Sequence, residues 1–207
     1  MTEACGCLAL DMGGVVCADT WESLFFAPHV GLAAHYKLDP DMVTEKGNAL
    51  WELYAYSHRE EEDYWRDWEE SLKLKLDRML IARLYEEAIW ADATAAPVIT
   101  EYLEGGRQVA IVSNSTSFWF PRQISRLGLK NVEHRLLRFL SHETGVAKSH
   151  EQGGLKQLAS RQKAENVLFM DDRQDNVAAA RKLGMTALHY KKEAYGDLAG
   201  ALKNVKR

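Results

Sequence analysis

Cys7-Leu8-Ala9-Leu10-Asp11-Met12-Gly13-Gly14 carries the clearest fold signal in this sequence. It begins with four apolar residues, too few for a helix, and then an acid and two glycines end the run. Val109-Ala110-Ile111-Val112 and Val167-Leu168-Phe169-Met170 are two further runs of the same form. Short apolar runs of this kind are typical of strands that are buried on both faces of a parallel sheet.

Segments with helical spacing lie between and after these runs. The spacing predicts helices over residues 98–103, 117–129, 155–163 and 176–183, and weaker strands near residues 137–141 and 186–190. Strands that alternate with helices in this way predict an α/β fold with a doubly wound, Rossmann-like parallel sheet.

Residues 18–90 have a different composition. They hold five of the six tryptophans but only two of the fourteen glycines, and their apolar residues recur at helical spacing. Four helices are predicted there, the first around residues 24–32 and the others over residues 42–56, 61–74 and 77–90. We therefore expect an all-helical cap at residues 18–90, inserted into an α/β core of residues 1–17 and 91–207.

Composition and charge narrow the possible partners and the compartment. The chain has 207 residues, 46% of them apolar, and 26 basic residues against 30 acidic ones, which gives a net charge of −4. This balance argues against binding to nucleic acid or an anionic membrane. The three cysteines, Cys5, Cys7 and Cys17, cannot form a disulfide framework, and no secretion signal or membrane span is recognisable. We expect a cytoplasmic protein.

Polar residues follow each apolar run. Asp11 follows the first, Ser113 and Asn114 the second, and Asp171 and Asp172 the third. Ligands of open α/β sheets bind beyond the carboxyl ends of the strands, so these side chains should share one edge. Adjacent carboxylates repel each other unless a cation offsets them, and Mg²⁺ is typically bound by one or two carboxylates together with water and phosphate.

In this order the motifs resemble those of the haloacid dehalogenase (HAD) superfamily, whose members are mostly phosphatases with a helical cap. The resemblance covers nearly the whole chain and rests on four motifs, which are Asp11 to Val16, Val112 to Asn114, Lys148 after Gly145 to Ala147, and Phe169 to Asp172 with Asn176 and residues 178–181. The insert lies between the first and second motifs, which is similar to the C1 type of HAD cap.

The resemblance implies a role for each matching residue. Asp11 would be the nucleophile, Lys148 would neutralise charge, and Ser113 and Asn114 would bind the phosphoryl oxygens together with Lys148. The implied cofactor is Mg²⁺, and the implied metal site consists of Asp11, the Gly13 carbonyl, Asp171 and Asp172, with Asp172 favoured over Asp171 as the direct ligand.

Two positions depart from the common HAD pattern. Gly13 stands where most phosphatases of the superfamily carry a second aspartate that acts as general acid and base, and Ser149 stands where proline usually follows the lysine. Glycine at the first position is similar to a subgroup that includes the phosphatase half of bifunctional epoxide hydrolases and bacterial sugar-phosphate phosphatases. Asp19 and His58 are the candidate replacements for the missing acid.

These features predict a magnesium-dependent phosphatase that hydrolyses a small phosphorylated metabolite through an aspartyl-phosphate on Asp11. One alternative is a metal-free dehalogenase that uses Asp11 on an alkyl halide. Another is a catalytically weak protein that binds a phosphorylated ligand, since Gly13 provides no acid. The sequence leaves the oligomeric state, monomer or homodimer, open.

Overall fold

The computed structural model of this protein describes residues 6–205, so Cys5 and the ends of the expected core, residues 1–5 and 206–207, lie outside the described residues. Its strands are β1 (Cys7–Leu10), β2 (Gln108–Ser113), β3 (Leu137–Leu140), β4 (Val167–Asp171) and β5 (Thr186–His189). All pairings are parallel, and the strand order is β3-β2-β1-β4-β5. The predicted doubly wound α/β fold is confirmed.

The three apolar runs form the three central strands. Leu10 at the end of β1 pairs with Ile111 of β2 on one side and with Met170 of β4 on the other. The residues that follow these strands therefore meet at one edge of the sheet, because parallel strands end on the same side.

The helices of the core lie mainly after β2. They are α6 (Ala95–Glu104), α7 (Trp119–Arg126), α8 (Ser141–Thr144), α9 (Gly154–Arg161), α10 (Gln174–Lys182), α11 (Lys192–Tyr195) and α12 (Leu198–Val205). Helices α8, α11 and α12 are not among the predicted elements, and Ser141, which was predicted to end a strand, instead begins α8. No helix within residues 6–205 combines the length and the apolar character that crossing a membrane requires.

Both faces of the sheet are buried under helices, which explains why the interiors of the three central strands are apolar. Leu8 and Leu10 point to the face that residues of α6, α7 and α12 cover, whereas Cys7 and Ala9 point to the face that α9 and α10 cover. Side chains alternate between the two faces of a strand, so each face receives every second residue.

The insert between β1 and β2 has five helices, so the prediction of four is wrong. They are α1 (Thr20–Phe26), α2 (Leu32–His35), α3 (Pro40–Ala55), α4 (Glu61–Leu72) and α5 (Arg78–Ala88). The expected first helix is divided into α1 and α2. Pro28 lacks the N–H that a continuing helix needs, and His29 has a φ of 64°, in the left-handed region.

Aromatic side chains dominate the apolar cluster of the insert. The Phe25 and Trp68 rings stack with centroids 4.1 Å apart, and Trp21 lies 6.4 Å from Trp68. Trp119 of α7 also belongs to this cluster and stacks on Trp51 at 6.1 Å. The insert is therefore packed onto α7 as well as on itself.

Candidate active site

The ends of β1, β2 and β4 bring Asp11, Ser113 and Asp171 together with Lys148. The Lys148 ammonium contacts Asp11 Oδ2 and lies 2.6 Å from Asp171 Oδ2. Lys148 is only 2% exposed, so water screens these contacts weakly. The backbone N–H of Met12 donates to Asp11 Oδ1 at 2.7 Å, so both oxygens of this carboxylate have a partner.

Lys148 comes from the loop between α8 and α9, and Asn114 fixes that loop. The side-chain oxygen of Asn114 accepts a hydrogen bond from the Lys148 backbone N–H at 2.8 Å. The Leu155 N–H, in the first turn of α9, donates to the Lys148 carbonyl at 3.0 Å. Asn114 therefore positions the lysine through its oxygen, a contact that the expected phosphoryl role of Asn114 did not include.

The two adjacent acids after β4 have different surroundings. Asp171 is fully buried, and its Oδ1 accepts from the Arg173 N–H at 2.9 Å and from Asn176 Nδ2 at 3.0 Å. Asp172 is partly exposed, and its backbone carbonyl accepts from His189 Nε2 at 2.7 Å. Asp171 is thus held on both oxygens, whereas the Asp172 carboxylate is partly exposed and lies beside Gly14.

Gly14 lies in the loop between β1 and α1, residues 11–19, at the point where this loop passes Asp172. We call it the first loop. The φ of Gly14, +71°, is in the region that favours glycine, and a Cβ there would lie 2.4 Å from Asp172 Oδ2. Any larger residue would both strain the backbone and displace the carboxylate.

The described carboxylates include a group that could hold a cation. Single oxygens of Asp11, Asp171 and Asp172 all lie within 4.8 Å of one another. Oxygen donors in such a cluster suit Mg²⁺, which prefers carboxylates and water as ligands. These residues fit the expected magnesium ion. The structure does not test the role of the Gly13 carbonyl, which stays a prediction.

The charges of the site shift several pKa values. Burial, together with the charge of Asp171, raises the pKa of Asp11, although the nearby Lys148 opposes this. Burial alone would lower the pKa of Lys148, but the charges of Asp11 and Asp171 outweigh it and raise this pKa. Burial and the charges of Asp19 and Asp171 raise the pKa of Asp172 to about 6. The acids outnumber the lysine that faces them, so a divalent cation would offset their remaining charge.

Asp19 is the last residue of the first loop, directly before α1. A Cβ placed on Gly13 would lie 2.1 Å from Asp19 Oδ1. The surrounding protein removes water from the Asp19 carboxyl, and this loss of solvation, followed by the charge of Asp11, raises the pKa of Asp19 to about 7. Asp19 and Gly14 also line a cavity of about 540 Å³, to which Phe26 and Trp90 contribute aromatic walls.

His58 lies on the exposed loop between α3 and α4. Its ring makes an edge contact with His142, at a centroid distance of 5.2 Å. His142 is buried, and its Nδ1 donates to the Ser115 carbonyl at 2.8 Å. Burial lowers the pKa of His142.

The loop between α3 and α4 is tied to the core beside the site. Ser141 Oγ donates to the Ala55 carbonyl at 2.5 Å and accepts from the Ser115 N–H at 2.9 Å. Ser117 Oγ donates to the Arg59 carbonyl at 2.9 Å. Sequence reasoning missed Ser141, although it follows β3 directly and the rule that polar residues after a strand line the site would have found it.

Comparison with known proteins identifies the fold. No protein-family model and no curated protein matches the sequence, but solved structures match the fold. A HAD family enzyme from Bacteroides thetaiotaomicron superposes with a TM-score of 0.68 and 16% identity, over 89% of this chain and 92% of that chain. The fold is that of the HAD family. A predicted HAD-like family hydrolase from Porphyromonas gingivalis gives a TM-score of 0.65 and 20% identity, over 97% of each chain.

Two further HAD structures are similar over most of their length. One is the Bacteroides thetaiotaomicron enzyme in complex with magnesium and inorganic phosphate, with a TM-score of 0.63 and 16% identity over 89% of this chain and 93% of that chain. The other is a HAD phosphatase from Thermococcus onnurineus, with a TM-score of 0.54 and 17% identity over 87% and 83%. The subgroup that Gly13 indicates stays a prediction.

Proposed function

We propose that this protein is a magnesium-dependent phosphatase that hydrolyses a small phosphomonoester through an aspartyl-phosphate on Asp11. The observation that carries the proposal is the position of Asp11. Its carboxylate is buried, contacts the Lys148 ammonium and lies within 4.8 Å of the Asp171 and Asp172 carboxylates. This combines a nucleophile, a cation and a set of metal ligands in one place.

Asp11 and Asp172 would hold the magnesium ion directly, with the Gly13 carbonyl as a further ligand and Asp171 beside them. When bound, the ion neutralises charge on the phosphoryl oxygens and so lets an anionic nucleophile approach. Asp171 would act through its contacts with Lys148 and Asn176, whereas the more open Asp172 would reach the ion directly.

The residues of the chain would carry the remaining steps. Lys148 holds the Asp11 carboxylate in place and adds positive charge beside the phosphoryl group. The Ser113 hydroxyl and the Asn114 side-chain amide would donate hydrogen bonds to the phosphoryl oxygens and orient the group for in-line attack. The insert would cover the site and exclude bulk water.

The comparisons support this reaction at the level of chemistry. The Bacteroides thetaiotaomicron enzyme was crystallised with magnesium and inorganic phosphate, and the Thermococcus onnurineus protein is a HAD phosphatase. Both share the fold of this chain, in which the carboxyl ends of the strands carry Asp11, Ser113 and Asp171.

The test is an assay of the purified protein against a panel of phosphomonoesters, with and without Mg²⁺, beside the variant Asp11→Asn. Asp41→Asn, an exposed aspartate in the first turn of α3, is the matched control. We expect metal-dependent phosphate release by the wild type and the control, and a loss of at least about 10⁴-fold in Asp11→Asn, because the nucleophile is gone.

Three results would contradict the proposal. Turnover by Asp11→Asn at the wild-type rate would remove the nucleophile from the mechanism. Metal-free halide release from a 2-haloacid, without phosphate release from any ester, would indicate a dehalogenase. Phosphate binding without turnover of any ester would indicate a binding protein.

A further inference from the structure

We propose that Asp19 is the general acid and base of this reaction, an inference that rests on the proposed phosphatase function. A phosphomonoester with a poor leaving group needs a proton on the departing oxygen, and the following hydrolysis needs a base for water. Asp11 cannot supply that proton while it serves as the nucleophile. Another acidic group near it has to do so.

The loop between β1 and α1 folds so that the Asp19 carboxylate lies against Gly13, two residues after Asp11. The N–H groups of Val16 and Cys17 both donate to the Met12 carbonyl at 3.0 Å, and the Gly14 N–H donates to the Cys17 carbonyl at 2.8 Å. The chain therefore turns back on itself directly after the nucleophile. As a result the Asp19 carboxylate reaches the space that a side chain on Gly13 would occupy, with Oδ1 2.1 Å from the Cβ position and Cγ 3.1 Å from it.

Asp19 is available for proton transfer because no structural contact holds its carboxylate. It stands at the start of α1, where its backbone carbonyl accepts from the Ser23 N–H, yet its carboxylate caps no N–H of the helix and makes no hydrogen bond or ion pair within residues 6–205. Asp171, by contrast, accepts two hydrogen bonds and pairs with Lys148. Asp19 also lies outside the group of three carboxylates that could share a metal ion.

The carboxylate of Asp19 is also open to a space that can hold a leaving alcohol. Together with Gly14 it lines the cavity of about 540 Å³, a volume within the usual range for small-molecule sites. His58 lacks both properties, since it is not among the residues that line this cavity and its ring contacts His142.

Two proton transfers complete the reaction. In the first step an Asp11 oxygen bonds to phosphorus, the bond from phosphorus to the ester oxygen breaks, and the Asp19 carboxyl gives its proton to that oxygen, which leaves as the alcohol. In the second step water bonds to phosphorus and loses a proton to the Asp19 carboxylate. The bond from Asp11 to phosphorus breaks, and phosphate leaves.

The variant Asp19→Asn tests this role with esters whose leaving alcohols differ in acidity. Asparagine is nearly the same size and starts a helix equally well, so folding should be preserved. With alkyl phosphates we expect kcat/KM to fall by about 10²–10⁴-fold, the usual worth of general acid catalysis. With p-nitrophenyl phosphate, whose leaving group needs no proton, kcat/KM should fall by less than about 10-fold.

The hydrolysis step gives a second readout. Without the base, the phosphoenzyme should accumulate, so p-nitrophenyl phosphate should give a burst of nitrophenol equal to the enzyme concentration before slow turnover. Asp41→Asn is again the control and should show neither the selective loss nor the burst.

The most specific test moves the carboxyl group from position 19 to position 13. Gly13→Asp alone should be damaging, because the new side chain meets Asp19 at once. In the double variant Gly13→Asp, Asp19→Ala, the new carboxyl takes over the vacated space. It should hydrolyse alkyl phosphates at least about 10-fold faster than Asp19→Ala alone, if one acid replaces the other.

The possible failures can be told apart. Equal losses with all leaving groups, or a weaker Mg²⁺ dependence in Asp19→Asn with an unchanged dependence on the leaving group, would overturn the role of Asp19 alone. No turnover by the wild type would overturn the proposed function, and this inference with it.

Discussion

The edge of the sheet and the helical insert hold their polar groups in different ways. At the sheet edge, Asp171 accepts two hydrogen bonds and pairs with a buried lysine, and Asn114 positions that lysine. In the aromatic cluster of the insert, the Tyr85 hydroxyl and Trp119 Nε1 are buried without hydrogen-bond partners among the described residues. The first region is defined by specific polar contacts, whereas in the second the packing of rings leaves some buried polar groups unpaired.

This difference suggests a division of work. Charged groups that must act on a phosphoryl group need fixed positions, and backbone groups at the ends of parallel strands provide them. A cluster of rings that covers the site, as we propose, needs fewer such contacts. We therefore expect changes at the sheet edge to remove the reaction, and changes in the insert to alter stability and substrate binding.

The largest effect is expected for Lys148→Met. Phosphatase turnover should fall by about 10³-fold or more, because the positive charge beside the phosphoryl group is lost. The free energy of unfolding should also fall by about 3–5 kcal/mol, since Asp11 and Asp171 lose their buried partner. Steady-state kinetics and urea unfolding measure the two effects. Lys156→Met, on the exposed face of α9, should change neither, and a fully active Lys148→Met would contradict the proposed site.

The insert is tested by Trp68→Ala. Trp68 is fully buried and packs on Phe25, so its removal should lower the free energy of unfolding by about 3–5 kcal/mol. Met79→Ala is the control, since this side chain is 78% exposed and should change stability by less than about 0.5 kcal/mol. Similar urea midpoints for the two variants would show that the aromatic cluster does not stabilise the insert.

A smaller effect is expected where the two regions meet. Ser141→Ala removes the hydroxyl that joins the Ala55 carbonyl to the Ser115 N–H, and both groups are left without this partner. We expect a loss of about 1–3 kcal/mol in stability and a rise in KM that exceeds any fall in kcat, because the insert is held less firmly over the site. Ser160→Ala removes an exposed helical hydroxyl and is the matched control. A fall in kcat with KM unchanged would place Ser141 in the chemistry instead.

The smallest effect is a pH-dependent one within the insert. Glu69 accepts from the Leu76 N–H at 3.0 Å and pairs with Lys75 and Arg78. The hydrogen bond from Lys75 is the main cause of the lowered pKa of Glu69, and the hydrogen bond from the Leu76 N–H and the charge of Arg78 add to it. Glu69→Gln should cost about 1 kcal/mol at pH 7.

The sign of the pH dependence follows from the lowered pKa. The ionised Glu69 stabilises the folded state at pH values above its unfolded pKa of about 4.3, and this contribution is lost as the pH falls through the lower folded pKa. Unfolding curves of wild type and Glu69→Gln should therefore differ at pH 7 and converge below pH 4. The exposed neighbour Glu70→Gln should show no such convergence, and a constant difference for Glu69→Gln would contradict the ion pairs.

Much of the core could be predicted because its signals are local. A buried parallel strand needs a continuous apolar run, and each of the three runs became a central strand within one residue of its predicted bounds. The residues after these runs were then bound to meet at one edge, since parallel strands end together. The helix count in the insert was wrong because helical spacing alone does not show where Pro28 and a left-handed residue interrupt the chain.

Contacts between distant residues could be learned only from the folded chain. The pairing of the Asn114 side chain with the Lys148 backbone joins two loops 34 residues apart, and no periodicity encodes it. Trp119, a residue of the expected core, packs in the insert because α7 faces it. Asp19 was one of two candidates for the missing acid, and the turn of the backbone after Asp11 distinguishes it from His58. Local sequence sets which residues form each element, but the side chains that meet depend on how the loops fold in three dimensions.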